Sequence, residues 1–107
     1  MLMVVDMDRA LRFYTDAFDA TVLLHTPYWS ELVVAGATVA LHPGRSGGDR
    51  DTGLGFEVDD LNAALAAAGS LGGRTTDVPR ERPGERIRIA QLADTEGNIL
   101  SVAETSG

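Results

Sequence analysis

The strongest constraint on this chain of 107 residues is that it repeats itself. Val4-Val5-Asp6-Met7-Asp8-Arg9-Ala10-Leu11 resembles Val58-Asp59-Asp60-Leu61-Asn62-Ala63-Ala64-Leu65. Both read as the end of an apolar strand, an acid, then a helix with Ala-Leu at the same place. Further on, Gly36-Ala37-Thr38-Val39-Ala40-Leu41 matches Gly97-Asn98-Ile99-Leu100-Ser101-Val102, a Gly turn entering an alternating strand. The first pair of segments is 54 residues apart and the second 61, so the second copy carries a longer internal loop. Their shared order points to a duplicated unit.

The boundary between copies falls in Pro43-Gly44-Arg45-Ser46-Gly47-Gly48-Asp49-Arg50, which has Gly and charge and no apolar anchor. We expect one domain over 1–107, with module one at 1–43, a linker at 44–51 and module two at 52–104. Periodicity supplies the elements. Met1 to Val5 reads as a strand. Asp6 or Asp8 caps a helix reaching about Phe18, with Leu11, Tyr14 and Phe18 on one stripe. Thr21 to His25 is a β-branched strand stopped by Thr26-Pro27. Trp29 to Val34 and Thr38 to His42 form a hairpin around Ala35-Gly36. In the second copy, Gly53 to Val58 is a strand and Asp60 to Ala68 a helix ended by Gly69. Gly73 to Val78, Arg86 to Leu92 and Ile99 to Ala103 complete it. The order is βαβββ, twice.

Charge and composition narrow the function classes. Nine arginines and no lysine face sixteen Asp plus Glu, a formal charge of −7. A nucleic-acid or anionic-membrane binder needs a basic face, so neither partner is expected. The absence of cysteine removes disulfide scaffolds, thiolate zinc sites and Cys nucleophiles. No apolar run approaches the roughly 20 residues of a membrane span. The opening residues lack the basic start and longer apolar stretch of a signal peptide, so a cytoplasmic location is expected.

At this point the motifs resemble a known family. Val4-Val5-Asp6-Met7-Asp8-Arg9-Ala10-Leu11-Arg12-Phe13-Tyr14 resembles the opening of vicinal oxygen chelate proteins. These include glyoxalase I, extradiol dioxygenases, and fosfomycin- and bleomycin-resistance proteins. Gly55-Phe56-Glu57-Val58-Asp59-Asp60-Leu61 resembles the start of the family's second module. Asp94-Thr95-Glu96-Gly97-Asn98-Ile99-Leu100 resembles its closing hairpin, with Thr95 where Pro is usual. The resemblance implies an α+β fold, two βαβββ modules whose sheets curl around a cup, usually within a dimer. It does not fix the chemistry.

Enzymes of that family hold a divalent metal with His, Gln or Glu from four strands. Carried over residue by residue, the first position falls upstream of Met1. The others fall on Ala40, Gly53 and Ser101, none of which is a credible ligand. We therefore expect no cofactor. His42 follows Ala40 by two, which places it on the same strand face. It reads either as a strand-end polar residue near solvent or as a ligand-contacting or proton-transferring group in the cup. His25 reads as a surface or dimer-contact residue.

Alternation assigns to the cup Met1, Met3 and Val5; Thr38, Ala40 and His42; Gly53, Gly55 and Glu57; and Ile99, Ser101 and Ala103. Small residues leave room for an organic ligand and polar ones orient it, unless they only close a compact core. Two glycines on one strand favour close approach by another group. Tyr28 and Trp29 offer either an aromatic wall or core-edge and dimer packing. Phe13 and Tyr14 read as packing. Arg86 and Arg88 either hold a carboxylate or phosphate or form a solvated face laced to Glu85. Glu57 is an acid or base if buried, and otherwise an exposed acid. The Asp6-Asp8 and Asp59-Asp60 pairs suit helix N-termini. The expected ligand-binding set is Tyr28, Trp29, Thr38, His42, Glu57, Arg88 and Ser101.

The missing metal positions favour a metal-free small-molecule binding protein, similar to the bleomycin-resistance branch, that sequesters an antibiotic or metabolite. The alternative is a metal-dependent isomerase, lyase or dioxygenase, its site assembled from His42, Glu57 and the partner chain. A third is a degenerate member with a regulatory or interaction role. A homodimer is expected, because each unit makes a half-open sheet whose edges need cover.

Overall fold

The computed structural model describes residues 1–44, 49–82, 84 and 86–105. Half of the expected linker, 45–48, and Glu85 lie outside the described residues. The first copy contains β1 (Leu2–Val4), α1 (Met7–Phe18), β2 (Thr21–His25), β3 (Ser30–Val34) and β4 (Ala37–Pro43). The second contains β5 (Arg50–Glu57), α2 (Leu61–Ser70), β6 (Arg74–Glu81), β7 (Ile87–Ala93) and β8 (Asn98–Thr105). They form two four-stranded mixed sheets, ordered β1-β4-β3-β2 and β5-β8-β7-β6. The α+β arrangement of two βαβββ modules is as the repeat implied, and the two sheets do not close on each other.

The repeat also holds at the level of register. Leu2 pairs with Leu41 in module one, and Phe56 with Val102 in module two. These pairs are related by the same 54- and 61-residue offsets that relate the sequence motifs. The helix starts correspond as well. Asp6 and Asp60 each accept a backbone hydrogen bond at 3.0 Å, from Arg9 and Ala63. Each satisfies an N–H that the first turn leaves unpaired. Asp6 is therefore the cap, and Asp8 sits in the first turn. Ala35 and Gly36, with φ of 49° and 82°, make the two-residue turn of the β3–β4 hairpin.

The copies differ where β1 and β5 run. The three-residue β1 covers only Leu41–Pro43 of β4, whereas β5 follows β8 from Asn98 to Ala103. β5 begins at Arg50 and not at Gly53, because a bulge between Asp51 and Gly55 separates two paired stretches. Within it Thr52 Oγ1 donates to the Ile99 carbonyl at 2.8 Å and accepts from Leu54 N–H at 3.2 Å. Gly53, at φ 72°, permits the bulge. An added Cβ there would meet nothing within 4 Å, so backbone conformation and not close approach accounts for this glycine. β6 continues past Val78 through Pro79, which an irregular edge strand tolerates.

α1 packs on β2, β3 and β4, α2 on β6, β7 and β8, and the two helices touch. One core spans both modules. At its centre Phe13, Tyr14, Phe18 and Phe56 have ring centroids 5.1–6.5 Å apart. Phe13 and Tyr14, read as packing residues, are fully buried. Among the described residues, no helix is long and apolar enough to cross a membrane.

A buried polar cluster joins the modules. The loop between β7 and β8, Asp94 to Gly97, runs against β1 and α1. Asp94 is 4% exposed and accepts from four donors. They are Tyr14 Oη at 2.5 Å, Glu96 N–H at 2.8 Å, Asn98 N–H at 2.9 Å and Asn98 Nδ2 at 3.1 Å. Asn98 Nδ2 also donates to the Met3 carbonyl at 2.9 Å. Glu96 accepts from Val5 N–H at 2.9 Å and from Arg9 at 2.8 and 3.0 Å. Its hydrogen bond and negative charge raise the Arg9 pKa further above its ordinary value. Burial, and then the Asp94 charge, hold the Tyr14 hydroxyl well above a normal phenol.

Two predictions follow from this cluster. Asp94→Ala leaves the Tyr14 hydroxyl and the Glu96 and Asn98 N–H groups without an acceptor inside the protein and is expected to cost about 3 kcal/mol or more, read by urea denaturation. The second concerns alkali. Because folding raises the Tyr14 pKa, its contribution is complete below about pH 10, the unfolded value, and is lost as pH rises toward the folded value. With no lysine or cysteine in the sequence, little else titrates there. The urea midpoint should therefore fall above pH 10, and Tyr14→Phe should flatten that fall while lowering stability by about 1–2 kcal/mol at neutral pH.

Candidate functional site

With both helices on one side, each sheet presents its other face outward. Alternation along the strands defines that face. In module one, Leu2, Val4, Val39 and Leu41 are buried toward α1, while Met3, Ala40 and His42 are only half-buried. In module two, Phe56, Leu100 and Val102 are buried, while Ile99, Ser101 and Ala103 are half-buried and Gly55 and Glu57 exposed. The two modules meet through their helices and the β7–β8 loop, and these helix-free faces remain open in the single chain.

Two cross-strand rows occupy the faces. In module two, Gly55 pairs with Ser101 and Ser101 with Gln91, a row of one glycine, one hydroxyl and one carboxamide. A Cβ on Gly55 would make only ordinary contact, 3.8 Å from Ser101, so the glycine enlarges the open space. In module one, Met3 pairs with His42, and the Trp29 ring meets the His42 ring edge-on at 6.1 Å. Trp29 Nε1 donates to Glu31 at 2.9 Å, which holds the indole in place. Thr26 Oγ1 accepts from Trp29 N–H at 2.8 Å and fixes the turn before it. His42 Nδ1 is buried and has no hydrogen-bond partner among the described residues.

The expected site residues separate on this geometry. Trp29 and His42 come together. Thr38 lies on the same face, about 13 Å farther along β4 at strand rise. Tyr28 is 79% exposed in the turn and turns its ring into solvent. Glu57 and Ser101 share the module-two face, but Glu57 is exposed and accepts from Thr105 Oγ1 at 2.6 Å. Arg88 does not join them. Its register with Glu104 places it on the helix side of β7, 3.4 Å from the Glu104 carboxylate that caps α2 through Leu61 N–H. Arg88, expected in the ligand-binding set, therefore lies on the opposite face of its sheet from Ser101, because the strand alternates in the opposite phase. His25 sits at the surface, 3.1 Å from Asp8. Gln91 was missed by the sequence reading, although its pairing with Ser101 places it in the row.

Among the described residues of the single chain, the mapped positions do not supply a donor set for a divalent metal. Of the positions that ligate in the resembling enzymes, Ala40 faces Glu31 across β3, Gly53 occupies the bulge, and Ser101 sits between Gly55 and Gln91. Among the described residues, no group of three or more His, Asp or Glu side chains is placed to hold a metal ion. His42 and Glu57 lie on different sheets, and Glu57 is already engaged by Thr105. A surface cavity of about 590 Å³ lies elsewhere, between the end of α1 and the start of α2. Asp16, Asp19, Glu57, Asp59 and Asp60 line it without any basic side chain, so it gathers much of the chain's excess acid.

No curated protein matches the chain by sequence. A glyoxalase/bleomycin resistance protein/dioxygenase family enzyme from Burkholderia phytofirmans PsJN superposes with a TM-score of 0.78 at 18% identity, over 98% of this chain and 94% of that one. The fosfomycin resistance protein FosX from Listeria monocytogenes gives 0.78 at 17% identity, over 98% and 88%. Its E126Q mutant, complexed with Mn(II) and 1S,2S-dihydroxypropylphosphonic acid, gives 0.77 at 16% identity, over 98% and 88%. At such identities the likeness establishes the fold. The family model for the Glyoxalase/Bleomycin resistance protein/Dioxygenase superfamily matches residues 1–102, and the chain belongs to that superfamily.

Proposed function

We propose that this protein binds a small organic molecule on its helix-free faces, without a metal, and sequesters it in the cytoplasm as a homodimer. The observation that carries this reading is the pair of open cross-strand rows, Trp29–His42–Met3 and Gly55–Ser101–Gln91. They combine small residues, an aromatic ring and neutral hydrogen-bonding groups, the usual lining of an organic-ligand site. The positions where metal ligands would stand are Ala40, Gly53 and Ser101, which supply space and one hydroxyl. The dimer is supported by two features. Each helix-free face is open, and the edge strand β2 exposes Val22, Leu23 and Leu24 by 40–58%. A second copy would cover such surfaces.

A metal-dependent enzyme is the competing reading, since FosX has been crystallised with Mn(II). A thermal-shift panel of antibiotics and metabolites separates the two. Native-state binding raises Tm, and the rise should be the same in EDTA as with added Mn(II). A shift that needs Mn(II) contradicts the proposal. Light scattering on the same sample should give about twice the chain mass of 11.3 kDa, and a mass near 11.3 kDa contradicts the dimer.

A further inference from the structure

Arg50 begins β5, beside the edge of module one. Its Nη1 lies 3.6 Å from Met3 Sδ, a weak acceptor. Its Nε and Nη2 are buried and have no hydrogen-bond partner among the described residues. Those two nitrogens form the edge of a guanidinium that grips a carboxylate or phosphoryl group with two parallel hydrogen bonds. The carboxylates on either side in sequence are committed elsewhere. Asp49 is paired with Arg74, and Asp51 accepts from Gly53 N–H at 3.0 Å. Donors shielded from water without an acceptor are costly, so this edge of the half-buried Arg50 calls for a partner.

Met3 connects this cation to the module-one row. Its main chain pairs with His42, whose Nδ1 is a second buried polar atom without a partner. Its unbranched side chain is flexible and yields readily to an incoming group. The sequence Trp29, His42, Met3, Arg50 thus runs from an aromatic ring to an unpaired fork of donors.

We propose that Arg50 is an anion-recognising residue at the seam between the modules, binding the carboxylate or phosphoryl group of a ligand that displaces the Met3 side chain and whose planar body lies toward His42 and Trp29. This rests on the small-molecule binding reading and adds the charge class of the ligand. A rival arrangement is a water between the Arg50 donors and Asn98 Oδ1, which is also unpartnered and lies on the residue paired with Arg50. That arrangement would satisfy both groups without any ligand.

Calorimetric titration of the full chain at constant ionic strength tests the assignment. The probes are benzoate, its neutral counterpart benzamide, methylphosphonate and inorganic phosphate. Benzoate or methylphosphonate should bind at least tenfold more tightly than benzamide, and which one binds distinguishes a carboxylate from a phosphoryl ligand. Arg50→Gln should remove that preference. Arg50→Lys, which keeps charge and loses the fork, should weaken anion binding severalfold and guards against a folding failure in the first variant. Arg12→Gln, on the exposed side of α1, should bind as the unaltered chain does. Three results overturn the proposal: equal affinity for benzoate and benzamide, anion binding unchanged in both Arg50 variants, or no binding of any anionic probe. The first leaves small-molecule binding intact and removes only the charge assignment.

Discussion

The Asp94 carboxylate is the interaction on which the arrangement of the two modules depends. It is buried, and it accepts from a phenol on α1, the backbone N–H groups of Glu96 in its loop and of Asn98 at the start of β8, and the Asn98 carboxamide. A carboxylate inside a protein is tolerable only when its lone pairs are so occupied. Meeting that demand fixes three things together: the shape of the β7–β8 loop, the position of α1 over it, and, through Asn98, the backbone of β1 at Met3. Glu96 adds a second tie to Val5 and Arg9. The modules are therefore held by directional polar contacts as well as by a shared aromatic core. Apolar packing alone would leave their relative position less sharply defined.

That tie also shapes the candidate site. Met3 is held at the seam by Asn98 on one side and pairs with His42 on the other. Arg50, opposite Asn98 in register, reaches the Met3 sulfur. A structural cluster on the inner side of the sheets thus sets the spacing of groups on the outer side. The two faces differ in character. Module two offers small neutral groups at Gly55, Ser101 and Gln91, module one offers rings, and Arg50 of β5 adds a cation at the seam. Such a division suits recognition of an organic anion better than the strong ligand field of a metal site.

Much of the fold was legible because duplication wrote it twice. The offsets of the two motif pairs reappear as paired registers, and Asp6 and Asp60 cap helices at equivalent points. What was not legible depended on contacts far apart in the chain. Asp94, Glu96 and Asn98 read as a turn, and nothing local indicates that Tyr14 and Arg9 meet them. The β5 bulge concealed the start of that strand, so Arg50 was read as linker and given no orientation. For Arg88, strand phase decided the matter. One residue of alternation separates a cup residue from one that pairs with Glu104 on the helix side.

The central claim is that ligand recognition on these faces does not involve a bound divalent metal. Titration of isotope-labelled protein with Mn(II), followed by amide NMR, tests it residue by residue, since the paramagnetic ion broadens signals close to its site. At one equivalent, the account predicts that the amides of Ala40, Gly53 and Ser101 keep their intensity, with any weak broadening confined to the acidic cleft around Asp16 and Asp60. Selective loss of the Ala40, Gly53 and Ser101 signals at one equivalent would contradict it.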